Sequence, residues 1–150
     1  MKFFQKVKEI RSKAGVLHFQ RYAIFETSLV SLYIHRIFKA DEDRYMHNHP
    51  WNFLTMILWG SYVALESGEQ SALSLQLNGP DVVVKGPGSV SYMDRDHFHR
   101  ILSIRSGPVT TLFLAFGKKK PWGYLVHPSP TIPYAFVDSQ TYREEKNKNV

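Results

Sequence analysis

An all-β antiparallel sandwich or barrel is the fold class predicted by this 150-residue sequence, on three observations. Short apolar runs rich in β-branched and aromatic residues recur along most of the chain. Glycine- and proline-containing turn signals separate them. The 43% hydrophobic and 14% aromatic content suffices for one packed core, so a single domain is expected.

The elements follow in order. Phe3, Phe4, Val7 and Ile10 recur at helical spacing among lysines and a glutamate, and Gly15 follows as a stop. This predicts a short amphipathic helix over 1–15, covering one side of the core. Residues 16–25 (VLHFQRYAIF) and 28–38 (SLVSLYIHRIF) read as strands parted by Glu-Thr. Residues 52–66 (NFLTMILWGSYVALE) read as two strand pieces bent at Gly60. SALSLQL, DVVVK, GSVSYM, HFHRILSI, VTTLFLAFG and GYLV complete the strand set. The turns fall at Ser67-Gly68, Asn78-Gly79-Pro80, Gly86-Pro87-Gly88 and Ser106-Gly107-Pro108. The predicted organisation is a helix over 1–15, a barrel over 16–138 and a fraying polar tail over 139–150.

Composition narrows the chemistry. The chain has no cysteine, which excludes disulfides, thiolate metal sites and thiol nucleophiles. Any metal must be held by nitrogen and oxygen. The opening MKFFQKVKEIRSKAG lacks the apolar core of a signal peptide, and no apolar run approaches a membrane span. A cytoplasmic protein without membrane contact is expected. Nineteen basic against thirteen acidic residues give a net charge of +6, part of it in Lys118–Lys120. Charge spread in this way reads as a solvated surface, so nucleic acid is not an expected partner. Gly86-Pro87-Gly88 opens no helix and precedes no Lys-Ser/Thr, so it is no phosphate loop.

The histidines carry the functional signal. Four of the seven form two H-x-H pairs, His47/His49 and His97/His99, in segments that read as separate strands. Strand side chains alternate faces, so the members of each pair point the same way. Imidazoles from two neighbouring strands can converge on one cation, each nitrogen at about 2.0–2.2 Å from a zinc-sized ion. His18, His35 and His127 lack a partner at ligand spacing and read as structural.

The motifs HNHPW…ILWGSY, GPG and HFHRI resemble the cupin superfamily of small β-barrels. There the first motif carries H-x-H and a glycine some eleven residues on, the spacing of His49 and Gly60 here. The run YIHRIFKADEDRYMHNHPWNFLTMILWGSYV is especially similar to a group of small cupins of bacteria and phages. The resemblance covers residues 33–124 and implies an antiparallel double-stranded β-helix, the cupin jelly roll. Most metal cupins add a glutamate shortly after H-x-H. Here residues 50–54 are Pro, Trp, Asn, Phe and Leu, and the first carboxylate is Glu66. The resemblance therefore implies a three-histidine site of His47, His49 and one of His97 or His99.

Thiol dioxygenase cupins use such a site, and their second motif is similar to His99-Arg100-Ile101. This implies His99 as third ligand, with His97 as its neighbour or alternative. Those enzymes also carry a helper histidine and tyrosine at positions that match Phe113 and Ala115 here. Iron(II) is the metal the resemblance implies first, with nickel, manganese and zinc as alternatives that all-nitrogen ligation does not discriminate.

Around the site, Trp51 and Phe53 share the parity of His47 and His49. They line the same cavity or fill the core. Arg36 either pairs with Asp41 or Asp43 or faces an anionic substrate. Arg100 has the opposite parity to His99 and reads as a structural ion-pair former, and 41–44 (DEDR) as a charged turn. Tyr62 is either a proton donor to substrate or a buried structural tyrosine.

Three functions fit. One is a metal-dependent oxygenase on a small polar substrate, with dioxygenase-like chemistry. A second is a metal-free isomerase or epimerase on a phosphorylated sugar, with a histidine as general base. The third is a small-ligand binding module without chemistry. Pairing of two barrels into a homodimer through an exposed sheet edge is a further expectation.

Overall fold

Residues 2–68, 72–117, 119–127, 129 and 131–148 are described by a computed structural model of the chain. Its strands are β1 (Lys2–Arg11), β2 (Leu17–Glu26), β3 (Val30–Ile37), β4 (Met46–His47), β5 (Asn52–Glu66), β6 (Asp81–Lys85), β7 (Val90–Met93), β8 (His99–Phe116), β9 (Gly123–Val126) and β10 (Ala135–Asp138). Two helices, α1 (Ala72–Asn78) and α2 (Ser139–Lys148), complete the described chain. The strands join in the order β1-β2-β3-β8-β4-β9-β10, and β5 pairs with β6, β7 and β8. All pairings are antiparallel. No described helix is long and apolar enough to cross a membrane.

The ribbon of β5 against β8 is the spine, running from Asn52 opposite Phe116 to Glu66 opposite His99. Both strands bend at the same level. Gly60 adopts φ +79°, and a Cβ there would lie 2.7 Å from the Ser106 carbonyl oxygen and 2.9 Å from the Val109 Cα. The pairing register slips on either side of it, between Ile57 and Trp59 and between Trp59 and Ser61. Gly60 therefore lets one bent strand nest against the other. The expected turn at 106–108 does not end a strand, because β8 continues through the bend as one element.

The bend divides the interior in two. Ala23, Tyr33, Phe53, Met93, Phe113 and Ala115 pack in one half, with Val7 and Trp51 against them. Ile57, Tyr62, Ala64, Ile101 and Val109 pack in the other. A cavity of about 390 Å³ opens between these clusters.

Three local expectations are corrected. Residues 2–11 form a strand, not the predicted helix over 1–15. Backbone pairing along β2, from Lys2 opposite Glu26 to Arg11 opposite Leu17, overrides the helical spacing. Among the described side chains of the supposed apolar face, Val7 packs against the core and Phe4 is 77% exposed. Residues 72–77 of the expected strand SALSLQL form α1 together with Asn78, and Ser71 lies outside the described residues. Leu75 is buried and Leu77 exposed, which strand alternation forbids, and the Gly79 amide closes the helix on the Leu75 carbonyl at 2.9 Å. The polar tail forms α2 up to Lys148 because it docks. Tyr142 stacks on Tyr124 at 3.9 Å, and Lys146 Nζ donates to Asp43 Oδ1 at 2.7 Å. Asp138 caps its start by accepting from the Gln140 and Thr141 amides.

Gly60→Ala is expected to cost about 2–3 kcal/mol through the unfavourable φ and the clash with backbone at Ser106. A shift in the urea midpoint measures it, and an unchanged midpoint would contradict the nested-bend account.

Candidate metal centre

The cavity wall is built where β4 meets β8. His47 and His99 are directly opposed across the two strands, and Tyr124 of β9 flanks His47 on its other side. Opposed residues in an antiparallel pair project to the same face, so register alone brings these two rings together. Their centroids are 4.8 Å apart.

His49 arrives by a different route. β4 ends at His47 and β5 begins at Asn52, so 48–51 is loop and strand parity does not extend across it. Asn48 fixes that loop. It is 2% exposed, its Nδ2 donates to the Arg95 carbonyl at 2.8 Å, and its Oδ1 accepts from the Gly123 amide at 2.8 Å. Its own amide donates to the Gly123 carbonyl at 3.1 Å. With Asn48 turned away from the cavity and tied to two segments, the flanking imidazoles both face the cavity. His49 Nε2 lies 2.9 Å from His99 Nε2.

One ligating nitrogen from each of His47, His49 and His99 falls within 4.8 Å of the others. Two nitrogens bound at right angles to one ion at about 2.1 Å stand about 3.0 Å apart, close to the His49–His99 separation. Enclosure pushes all three imidazoles below their ordinary value of 6.5. Neighbouring imidazoles add to this at His49 and His99. The rings are therefore neutral at pH 7, the form in which imidazole ligates. The donor set fits a divalent cation.

His97 stands apart. It precedes β8, so the expected shared parity with His99 does not apply. Its Nε2 lies 3.8 Å from Glu66 Oε2, beside the Glu66–Lys85 ion pair, and it does not line the cavity. Glu66, opposite His99 in the register, is thus engaged by Lys85 and does not join the three-histidine group.

Trp51, Phe53 and Tyr62 line the cavity. Phe53 stacks on Phe113 at 4.5 Å and meets His49 edge-on at 4.9 Å, making an apolar floor. Burial, then the nearby Glu66 and Asp41, pushes the Tyr62 hydroxyl above its usual value, so it stays protonated. Arg36 does not line the cavity. It follows inward-facing His35 on β3, so its side chain leaves on the other face, where the guanidinium sits 5.1 Å from the Phe38 ring centre. Neither expected acid pairs with it. Asp41 Oδ2 accepts from the Ile101 amide at 2.7 Å, and Asp43 Oδ2 from the Tyr124 hydroxyl at 2.9 Å. Arg100 forms no ion pair among the described residues and donates to the Arg44 carbonyl at 2.9 Å. Lys118 lies outside the described residues; Lys119 Nζ sits over Trp51, and Lys120 pairs with Asp96.

The arginine that does enter is Arg21 of β2. Its Nε donates to His35 Nε2 at 2.9 Å, and its guanidinium lies 4.8 Å from the Tyr33 ring centre. His35 is thereby a fixed, neutral acceptor, pushed well below 6.5 by burial and then by Arg21. A signal for Arg21 existed. In HFQRYAIF it shares the parity of Phe19 and Ala23, an inward position for an arginine. No comparable signal marks Asn48, because its role depends on a loop and on distant backbone.

No protein-family model and no curated protein matches the sequence. Solved structures share the fold. Fe(II) HppE in complex with substrate aligns with a TM-score of 0.53 at 10% identity, over 76% of this chain and 56% of that one. Hydroxypropylphosphonic acid epoxidase from S. wedmorenis aligns at 0.50 and 10% identity, over 78% and 59%. A candidate mannose-6-phosphate isomerase from Ralstonia eutropha JMP134 aligns at 0.50 and 15% identity, over 65% and 83%. The chain spans about half the length of the HppE chains it matches. The likeness is one of fold: this is an antiparallel cupin-type jelly-roll barrel.

Asn48→Ala strands the Arg95 carbonyl and the Gly123 amide and is expected to cost about 2 kcal/mol or more. Thermal unfolding, with loss of metal uptake alongside, measures it. The metal-free protein is also expected to lose stability as pH falls below 6.5. Five depressed imidazoles (His35, His47, His49, His97, His99) resist a proton that the unfolded chain accepts. Their contribution is complete above 6.5 and shrinks below it; urea midpoints at pH 7.5 and 5.5 measure the fall, and equal midpoints would contradict it.

Proposed function

We propose that the chain is a metal-dependent barrel enzyme, an iron(II)-type oxygenase acting on a small polar substrate. The observation that carries this reading is the convergence of His47, His49 and His99 nitrogens within 4.8 Å on the wall of a 390 Å³ cavity. A cavity of that size suits a small molecule.

A divalent ion held by three neutral imidazoles would keep its full charge and open positions, supplying Lewis acidity and, as iron(II), redox chemistry with O₂. The protein's own residues do the rest. Phe53 and Phe113 exclude water from the floor beneath His49 and His99. The protonated Tyr62 hydroxyl offers a hydrogen bond, or a proton, to a bound substrate. Phe113 and Ala115 supply neither proton nor hydrogen bond, so the helper groups of thiol dioxygenases have no counterpart on this strand. The likeness in fold to Fe(II) HppE supports iron as the first metal to test.

A second reading, a metal-free isomerase on a phosphorylated sugar, draws on the fold shared with the candidate mannose-6-phosphate isomerase. It predicts turnover that survives strong chelation, which the oxygenase reading forbids.

The test is metal content after anaerobic loading with Fe(II). The proposal expects about one ion per chain, nearly abolished in His47→Ala, His49→Ala and His99→Ala and retained in His97→Ala. Full occupancy in the first three variants, or none in the native protein, would reject it.

A further inference from the structure

A row of side chains crosses the sheet beside the metal centre. Lys8 of β1 is paired directly opposite Arg21 of β2, Arg21 opposite His35 of β3, and His35 opposite Thr111 of β8. All four line the cavity. Lys8 and Arg21 are two cations facing each other across an antiparallel pair, an arrangement that weakens a sheet unless an anion lies between them. Arg143 of α2 lines the same cavity from another side, held against the Trp122 ring at 5.4 Å. Lys8 is pushed below its ordinary value by partial burial, then by the charges of Arg21 and Arg143, so both arginines lie within electrostatic reach of it.

None of the three takes part in an ion pair among the described residues. The acids lining the cavity are engaged elsewhere. Asp41 accepts from the Ile101 amide, Glu42 faces His18 at 3.4 Å, and Asp43 accepts from Tyr124 and Lys146. Glu26, which lies within electrostatic reach of Arg21, accepts from the Tyr33 hydroxyl at 2.8 Å. The His35 contact uses only Nε of Arg21 and does not occupy the guanidinium's terminal donors.

We propose that Lys8, Arg21 and Arg143 form an oxyanion cradle that holds the phosphate or phosphonate end of the substrate beside the three-histidine wall. Three cations with no ion-pair partner among the described residues match a doubly charged tetrahedral group better than a single carboxylate. The cradle rests on the proposed function and deepens it by naming the substrate class. It also assigns Arg21 the anion-facing position that was one of the two sequence readings for Arg36.

The probe is inorganic phosphate, titrated calorimetrically into the Fe(II)-loaded full chain under anaerobic conditions, with acetate as the carboxylate control. Saturable one-to-one phosphate binding is expected, with acetate weaker by about tenfold or more. Lys8→Gln and Arg143→Gln, both at the exposed rim, are each expected to weaken phosphate about tenfold or more while metal content stays near one per chain. Arg21→Gln is expected to abolish binding, and the two rim variants carry the test if it fails to fold. His47→Ala/His49→Ala is expected to lose metal yet still bind phosphate, which separates failure of the cradle from failure of the metal centre. Native-like phosphate affinity in both rim variants, acetate binding as tightly as phosphate, or no saturable phosphate binding would overturn the cradle.

Discussion

The pairing of His47 with His99, where a two-residue strand meets the first residue of the longest one, is the contact on which the site depends. It fixes two imidazoles on one face through backbone hydrogen bonds, independently of any ion. A one-residue slip would send one ring out of the cavity, because side chains alternate along a strand. The register is protected from both sides. The bend at Gly60 sets how β8 lies along β5, and Asn48 ties the chain after β4 to β9 and to the Arg95 carbonyl. His49 is then carried into place by a loop held by the buried Asn48 amide and by the Lys120 amide donating to the Pro50 carbonyl.

The cavity separates its chemistry by wall. Its floor is aromatic, its β4–β8 side carries neutral nitrogen donors, and its β1–β2 side carries cations. Keeping the imidazoles neutral follows from enclosure rather than from a partner acid, since desolvation penalises the charged form. The same enclosure makes an unpaired arginine costly. Arg21 is tolerated because aromatic faces of Tyr33, Phe19 and Trp51 surround its guanidinium and His35 accepts from its Nε. The oxyanion cradle proposed above draws on this arrangement, positive charge stored beside three neutral imidazoles.

Much of this was legible in the sequence. Period-two runs gave most of the strands, and two H-x-H pairs in an all-β chain led to three side chains that do converge. Gly60 marked the bend because only a residue free to take positive φ fits there. What could not be read was decided by partners far along the chain. The opening residues have helical spacing but meet the open edge of β2, and edge pairing wins. The tail is polar throughout yet orders on Tyr124 and Asp43. Arg36 and Arg21 each sit among apolar residues. The inward one is set by which face of its strand the barrel encloses, a fact that depends on topology rather than local pattern. His97 lies off the cavity for a related reason: parity holds only within a strand, and it lies two residues before one.

X-ray absorption at the iron edge of the anaerobically loaded protein tests the central claim most directly. The account predicts about three imidazole nitrogens near 2.1 Å with the outer-shell scattering that imidazole rings produce, and no need for a protein carboxylate. A first shell made of oxygen alone, without imidazole scattering, would contradict it.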